Sequence, residues 1–284
     1  MPATKTKTSI SSNRHTSLPY DRNSDAGSNC KSAGKESALA KSESKLYIIR
    51  SRTLTGQGTV QEIAARIPTL RGTSTVEAKV VHKPGQSPEI PEVVKAPHVR
   101  TLLLSGNSSH VGGRELFTRF MNALQLPNAE TIAILWPGSS SSKSEKAIYN
   151  FLIRAGRLEN LKTVMLSLQC CYRPGLKAYL RSPQAGHLVS LCLHTNADVE
   201  AEILCVLPHR HWLANLEDLT LRNANNIEPM FFLEALEKRH AGGRSKLGFV
   251  RITAVKGLLN EVVERARAIG IEFECFRSVY VKEE

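Results

Sequence analysis

One short apolar pattern, Leu-x-x-Leu-x-Leu, returns along the second part of the chain. It is clearest in Val99, Leu102 and Leu104 and again in Leu188, Leu191 and Leu193. Leu216, Leu219 and Leu221 match it as well, and looser versions, with another apolar residue at one or more of the three positions, begin at Ala129, Leu161, Leu247 and Ala268. The alternation within each unit predicts a short strand, and the noisy but regular return predicts a repeat protein.

Between these strands, apolar residues recur every three or four positions, which predicts a helix in each connection. The predicted helical stripes are Leu116, Phe117, Phe120, Met121 and Leu124; Ala147, Ile148, Phe151, Leu152 and Ala155; Val199, Ile203, Val206 and Leu207; Ile227, Met230, Phe231 and Ala235; and Leu258, Leu259, Val262, Val263 and Ala266. A capping box from Ser142 to Glu145 is expected to open the second helix. Each unit is thus one strand and one helix that bury their apolar faces only by stacking on neighbours.

With this pattern the chain resembles leucine-rich-repeat proteins of the long-repeat, ribonuclease-inhibitor-like type. Its irregular units are similar to the repeat half of fungal F-box proteins, and the resemblance covers residues 99–276. It implies an α/β solenoid, in which a curved parallel sheet carries helices on its convex side. It also implies a substrate-receptor-like adaptor, but no clear F-box is present: the Leu-Pro-Tyr-Asp run at 18–21 is followed by no apolar periodicity. The link of that family to a ubiquitin ligase is therefore not carried over.

Three regions differ in composition. Residues 1–45 contain ten serines and few large apolar side chains, which predicts a disordered, weakly basic tail. Residues 46–98 suggest a strand at Leu46, Ile48 and Ile49, then a helix, then a strand from Val76 to Val81, and they form an N-terminal cap or a connector. Four prolines predict an exposed loop over 83–97. Residues 99–284 form the predicted solenoid.

The net charge of +12 raises the alternative of a nucleic-acid-associated protein. The distribution of charge weakens that alternative. Residues 1–45 hold eight basic and four acidic side chains, residues 46–98 seven and four, and residues 99–284 twenty-three and eighteen. Any binding to nucleic acid is therefore expected to use mainly the basic tail.

A second alternative is an α/β nucleotide-binding enzyme, because strands that alternate with helices also build doubly wound folds. The glycine-rich segments at 106–114 and 137–143 match neither dinucleotide nor P-loop patterns. The pair His209 and His211 lacks a third metal ligand or a nucleophile nearby in sequence, and Cys170 and Cys171 are expected to pack rather than react. We therefore predict no catalytic residue, no cofactor and no metal. The order of strands in the sheet separates the two folds, because an order without a reversal would favour the repeat fold over the enzyme.

The candidate binding surface is the row of side chains between the apolar strand positions, because side chains of a strand alternate between its two faces. The early strands place threonine, serine and aliphatic residues there, and the later strands add charged residues and an aromatic. The predicted contact residues for a protein partner are Met165, His194, Asp218, Arg222, Phe249 and Arg251. Cys192 is predicted to point outward in the same row.

The predicted location is the cytoplasm or the nucleus, with no membrane partner. No run of 18 apolar residues occurs, the N-terminus has no apolar segment of the secretory type, and the six cysteines show no CxxC spacing.

Overall fold

The computed structural model is an α/β protein built around one large sheet. It describes residues 48–50, 53–70, 72, 74–81, 83, 89–106, 111–136, 141–155, 159–168, 172–194, 196–241, 243, 245–254 and 260–277. The predicted tail at 1–45 and the cysteines at 170 and 171 lie outside these residues. No helix in the described ranges is long and apolar enough to cross a bilayer.

Strands and helices alternate along the chain. The strands are β1 (Ile48–Arg50), β2 (Thr53–Gly58), β3 (Thr75–Val80), β4 (Val94–Lys95), β5 (Thr101–Gly106), β6 (Leu124–Gln125), β7 (Thr131–Trp136), β8 (Thr163–Leu168), β9 (Ser190–His194), β10 (Asp218–Arg222), β11 (Phe249–Ala254) and β12 (Glu272–Arg277). The helices are α1 (Val60–Arg66), α2 (Val111–Ala123), α3 (Ser142–Arg154), α4 (Arg173–Leu180), α5 (Ala197–Val206), α6 (Pro229–His240) and α7 (Asn260–Ala268), and short 3₁₀ turns cover Ile67–Thr69 and Ala185–His187.

The order of strands in the large sheet follows the order of the chain. From one edge to the other it is β1, β2, β3, β5, β7, β8, β9, β10, β11 and β12. Nine of these strands are parallel, and β1 is antiparallel to β2. A doubly wound fold reverses its strand order near the middle of the sheet, and no reversal occurs among the described strands. The predicted α/β class and parallel sheet are confirmed.

The parallel sheet begins upstream of residue 99. Strand β3 pairs with β5 in the same register that the later strands keep, with Val76 opposite Leu102 and Ala78 opposite Leu104. Strand β2 adds one more unit, and α1 follows it with a capping box in which Thr59 and Glu62 bond each other's backbone N–H. Residues 46–98 thus contribute strands to the same sheet as the predicted repeats.

Apolar side chains at equivalent positions form two continuous buried rows across the sheet. The rows are Val76, Leu102, Ile132, Val164, Leu191, Leu219, Val250 and Phe273, and Ala78, Leu104, Ile134, Leu166, Leu193, Leu221 and Ile252. The helices cover this face, since each helix from α1 to α7 packs on the next one and their apolar sides join the same core. The stacking of units predicted from the sequence is the source of this core.

Two kinds of hydrogen bond repeat from unit to unit at the start of the strands. Two successive backbone N–H groups of one unit donate to a single carbonyl of the previous unit; for example, Glu130 and Thr131 bond Arg100, and Lys162 and Thr163 bond Glu130. Asparagine side chains add a second link. The Nδ2 atoms of Asn128, Asn160 and Asn215 donate to the carbonyls of Pro97, Pro127 and Gly186 at 2.7, 3.5 and 3.0 Å. These bonds hold successive units in one register because they satisfy turn carbonyls that would otherwise need water.

Several local expectations are wrong. Within the predicted loop at 83–97, Val94 is fully buried and β4 pairs in parallel with β6. The cap of α3 is Ser141 rather than Ser142; its hydroxyl accepts from the N–H of Ser144. Glu145 is buried and accepts from the N–H of Tyr172 in the next unit. Phe231 is exposed, since the helical phase of α6 buries Phe232 and Leu233 instead.

Candidate functional site: the exposed face of the sheet

The side chains between the buried rows lie on the opposite face of the sheet, and we call this surface the sheet face. One of its rows consists of hydroxyl side chains over six successive strands: Thr53, Thr75, Thr101, Thr131, Thr163 and Ser190. These side chains are partly exposed. Asp218 and Phe249 continue the row in β10 and β11.

The centre of the sheet face is apolar. Leu103, Ala133 and Met165 are aligned on β5, β7 and β8, and Leu135 lies beside them on β7. Leu103, Leu135 and Met165 are partly exposed, whereas the smaller Ala133 is buried. We call these four residues the central apolar strip.

Charged residues lie on both sides of the central apolar strip. On the upstream side, β3 exposes Glu77 and Lys79. On the downstream side, His194 of β9 is aligned with Arg222 of β10, and both side chains are exposed. The sequence suggested a gradient from apolar to charged strands; with β3 included, the face instead has an apolar centre and a charged border at each end.

The downstream border contains a cluster around Arg251. Its Nε donates to Oε2 of Glu274 at 2.7 Å, and its guanidinium lies 5.1 Å from the ring centre of Phe249 and 5.8 Å from that of Phe276. Phe276 is 51% exposed, which is unusual for a phenylalanine and leaves one of the largest apolar surfaces on the described part of the chain. An arginine held between rings and a carboxylate has little freedom left to lose on binding.

Cys192 lies on the sheet face as predicted, but it is buried there. Burial raises the pKa of its thiol, and a hydrogen bond and charge from Arg222, together with the charge of Arg251, oppose that rise. The net direction is upward, so the thiol stays protonated near neutral pH and serves as a small packed side chain.

The structure places all six predicted contact residues on the sheet face, in strands β8 to β11. Met165 and Arg251 share one row, Asp218 and Phe249 are paired, and His194 and Arg222 are paired. Met165 lies three strands from Arg251, about 14 Å away at the usual strand spacing. Sequence reasoning missed Phe276. The alternation along the last strand could have identified it, because Phe276 lies two residues after Glu274 and therefore on the same face of the sheet.

Metal binding or nucleophilic catalysis would need a group of converging side chains elsewhere among the described residues. No group of three histidine, cysteine or carboxylate side chains is placed to hold a metal ion there. A cavity of about 590 Å³ lies where β3, β5, β7 and β8 begin, and its lining includes His98, Arg100, Glu130 and Asn160. Within it Arg100 and Glu130 form an ion pair of 2.7 Å and neutralise each other. The described lining includes one serine, Ser74, whose backbone carbonyl accepts from the N–H groups of Arg100 and Thr101, and no cysteine.

The glycine-rich segments that the enzyme alternative would need lie mostly outside the described ranges, at 107–110 and 137–140. Comparison with known proteins adds no relative, because no protein-family model, no curated protein and no solved structure matches the chain.

Proposed function

We propose that the protein is a non-enzymatic interaction module that binds a protein partner on its sheet face. The observation that carries the proposal is the central apolar strip with a charged border at each end. Specific protein interfaces have this composition, with an apolar centre that excludes water and a polar rim that sets orientation.

We infer further that the units form a leucine-rich-repeat-like solenoid. Sequential parallel strands, two apolar rows in constant register and repeated asparagine links all support this interpretation. In such an array the helices bury one face of the sheet completely, and the other face becomes a continuous surface several strands wide. A role as a substrate-receptor-like adaptor fits a surface of that kind.

Two regions of the sheet face should contribute most to binding. The central apolar strip supplies area that loses water on contact, through Leu135 and Met165 in particular. The cluster of Phe249, Arg251 and Phe276 supplies an arginine and aromatic rings, which are the side chains most often responsible for binding energy at interfaces.

Placing two carboxylates in the central apolar strip should abolish partner binding and leave the fold intact. We expect the Leu135→Glu, Met165→Glu variant to lose the proteins that wild type captures from extracts of its native cells, because a partner would bury unpaired charges. Both positions are partly exposed, so the melting temperature should change little.

The matched control adds two carboxylates to the helical side, at Ala178→Glu and Phe231→Glu, where both side chains are exposed. It should capture the same proteins as wild type. A second variant, Arg251→Ala with Phe276→Ala, should weaken capture about tenfold or more, while Arg119→Ala with Phe231→Ala removes a similar ion pair and phenylalanine from the helices without effect. Equal capture by wild type and the Leu135→Glu, Met165→Glu variant would contradict the proposal.

A further inference from the structure

Basic side chains accumulate at one edge of the molecule, where helices α4, α5 and α6 end and the next strands begin. The three junctions are residues 181–189, 206–216 and 238–248, and none of them contains an aspartate or a glutamate. Their described residues include five lysine or arginine residues and four histidines. We call this surface the basic edge.

The three junctions are neighbours in space. The backbone N–H and the Nδ2 of Asn215 both donate to the carbonyl of Gly186, and Nζ of Lys246 donates to Oδ1 of Asn215 at 2.9 Å. The junctions therefore follow one another along the edge at the strand spacing, which puts the outer two about 10 Å apart. The charge that is scattered in the sequence becomes a short continuous stripe in the fold.

Planar side chains are packed together at the middle of the basic edge. The rings of His209 and His211 lie 4.5 and 4.7 Å from the ring of Trp212, and the guanidinium of Arg181 lies 4.2 Å from the same ring. Both histidines and the intervening Arg210 are exposed. The loop thus presents ring planes and a cation side by side.

Three nitrogens lie beneath this surface without a hydrogen bond among the described residues: Nε of Arg181, Nε of Arg239 and Nε2 of His240. The terminal nitrogens of Arg239, which is 1% exposed, donate to backbone carbonyls inside the protein. Carboxylates neutralise part of this surface, since Glu234 pairs with Lys238 at 3.7 Å and the exposed Glu217 follows the middle junction. Arg181, Arg210 and Lys246 are the cations that define the basic edge. The C-terminal ends of α4, α5 and α6 carry partial negative charge, which stabilises cations at this edge.

We propose that the basic edge binds single-stranded nucleic acid, with phosphates on its cations and bases against the exposed rings of His209 and His211. Single strands are bound by this combination of a positive track and planar side chains that stack with bases. The surface differs from the sheet face, so the proposal stands independently of protein binding there. It also moves the nucleic-acid alternative from the N-terminal tail to the folded repeats.

The test uses the full chain and a fluorescent 15-nucleotide oligouridylate, with binding followed by anisotropy between about 50 and 200 mM salt. Removing two exposed cations from the basic edge, by Arg210→Gln with Lys246→Gln, should weaken binding about tenfold. It should also make the dependence of log affinity on log salt shallower by roughly 1.4, since each phosphate contact on a single strand contributes about 0.7. Arg239 is left intact because it is buried.

The matched control removes two exposed lysines from α3, by Lys143→Gln with Lys146→Gln, and keeps the same net charge as the test variant. Its affinity should stay within about twofold of wild type. The proposal is overturned by no binding at the lowest salt, by an equal loss in both variants, or by binding to anionic phosphatidylserine vesicles without binding to the oligonucleotide. Variants that melt at the wild-type temperature exclude unfolding as the cause of a loss.

Discussion

Arg239→Met should lower the free energy of unfolding by about 3 kcal/mol. The guanidinium of Arg239 is buried on α6, and its two terminal nitrogens donate at 2.5 to 3.5 Å to the carbonyls of Leu207, His209, Trp212 and Leu213. These carbonyls include the end of α5 and a loop in which Leu213 adopts a φ of 50°, a value that leucine rarely takes. Without the arginine these buried carbonyls lose their hydrogen-bond donors.

Arg239 is unusual because its charge is buried and its hydrogen bonds go to backbone carbonyls. Burial, with a smaller contribution from the charge of Arg210, lowers the pKa of Arg239 to about 10, so the side chain remains charged at neutral pH. Four carbonyl dipoles and the negative end of α5 offset the loss of hydration. Arg239→Lys keeps the charge but not the planar set of donors, and it should also destabilise the fold, by about 2 kcal/mol.

Urea unfolding followed by circular dichroism at neutral pH measures this effect. Arg119→Met is the control, because Arg119 is exposed on α2 and forms only a surface ion pair with Glu115; its effect should stay within about 0.5 kcal/mol. A result for Arg239→Met as small as that of the control would show that the loop at 207–213 holds its shape without the arginine.

Gly106→Ala should lower the free energy of unfolding by about 2 to 3 kcal/mol, because a methyl group has no room there. A Cβ at Gly106 would lie 2.6 Å from Cζ3 of Trp136 and 3.0 Å from Cβ of Val80. Trp136 cannot easily move away, since it is 2% exposed and its ring centre lies 4.1 Å from that of Phe117, on which it stacks. Glycine is needed here for the close approach of the indole ring to the strand.

A double-mutant cycle separates this cause from a general weakness of the strand. Trp136→Leu by itself should cost about 3 kcal/mol, but it opens space above residue 106. Gly106→Ala added to that variant should then cost less than about 1 kcal/mol, which gives a coupling energy of at least about 1 kcal/mol. Gly186→Ala is the control, since no atom lies within 4 Å of its added Cβ. Additive effects of the two changes would contradict the steric explanation.

The sequence predicted the strands of the repeats because their signal is local. Leu102 and Leu104, or Leu191 and Leu193, alternate with exposed residues over a few positions, and the structure places strands there. Strand β2 was harder to recognise as part of the array, since Gly56 stands where the other units have a larger apolar residue. Helix α4 was missed because Pro174 and Gly175 in its first turn leave only Leu176, Tyr179 and Leu180 as an apolar side.

Long-range partners could not be predicted from such patterns. Arg239 bonds carbonyls 26 to 32 residues earlier in the chain, and carbonyls leave no trace in the residue type. The asparagine links between units were not predicted, and Asn196, at the ninth position of its unit, caps α5 instead. They occur one residue before the first apolar position, at Asn128, Asn160 and Asn215, so a search for any recurring asparagine could have found them.

The candidate site, too, could be predicted only where its signal lies within a single strand. Alternation along single strands was enough to choose Met165, His194, Asp218, Arg222, Phe249 and Arg251 as residues of one face. The apolar centre with two charged borders depended on strand β3, which joins the sheet from a region that the sequence left open between a cap and a connector. The basic edge depended on three junctions that only the fold brings together.

Site-specific photo-crosslinking tests the binding of a partner on the sheet face most directly. A photoreactive amino acid replaces Leu135 at the centre of the sheet face, or Ala178 on the outer side of α4, and the protein is irradiated in extracts of its native cells. We expect the probe at 135 to give a discrete crosslinked protein that disappears in the presence of excess unlabelled wild type, and the probe at 178 to give none. Crosslinks of equal yield from both positions, or from 178 alone, would contradict binding on the sheet face.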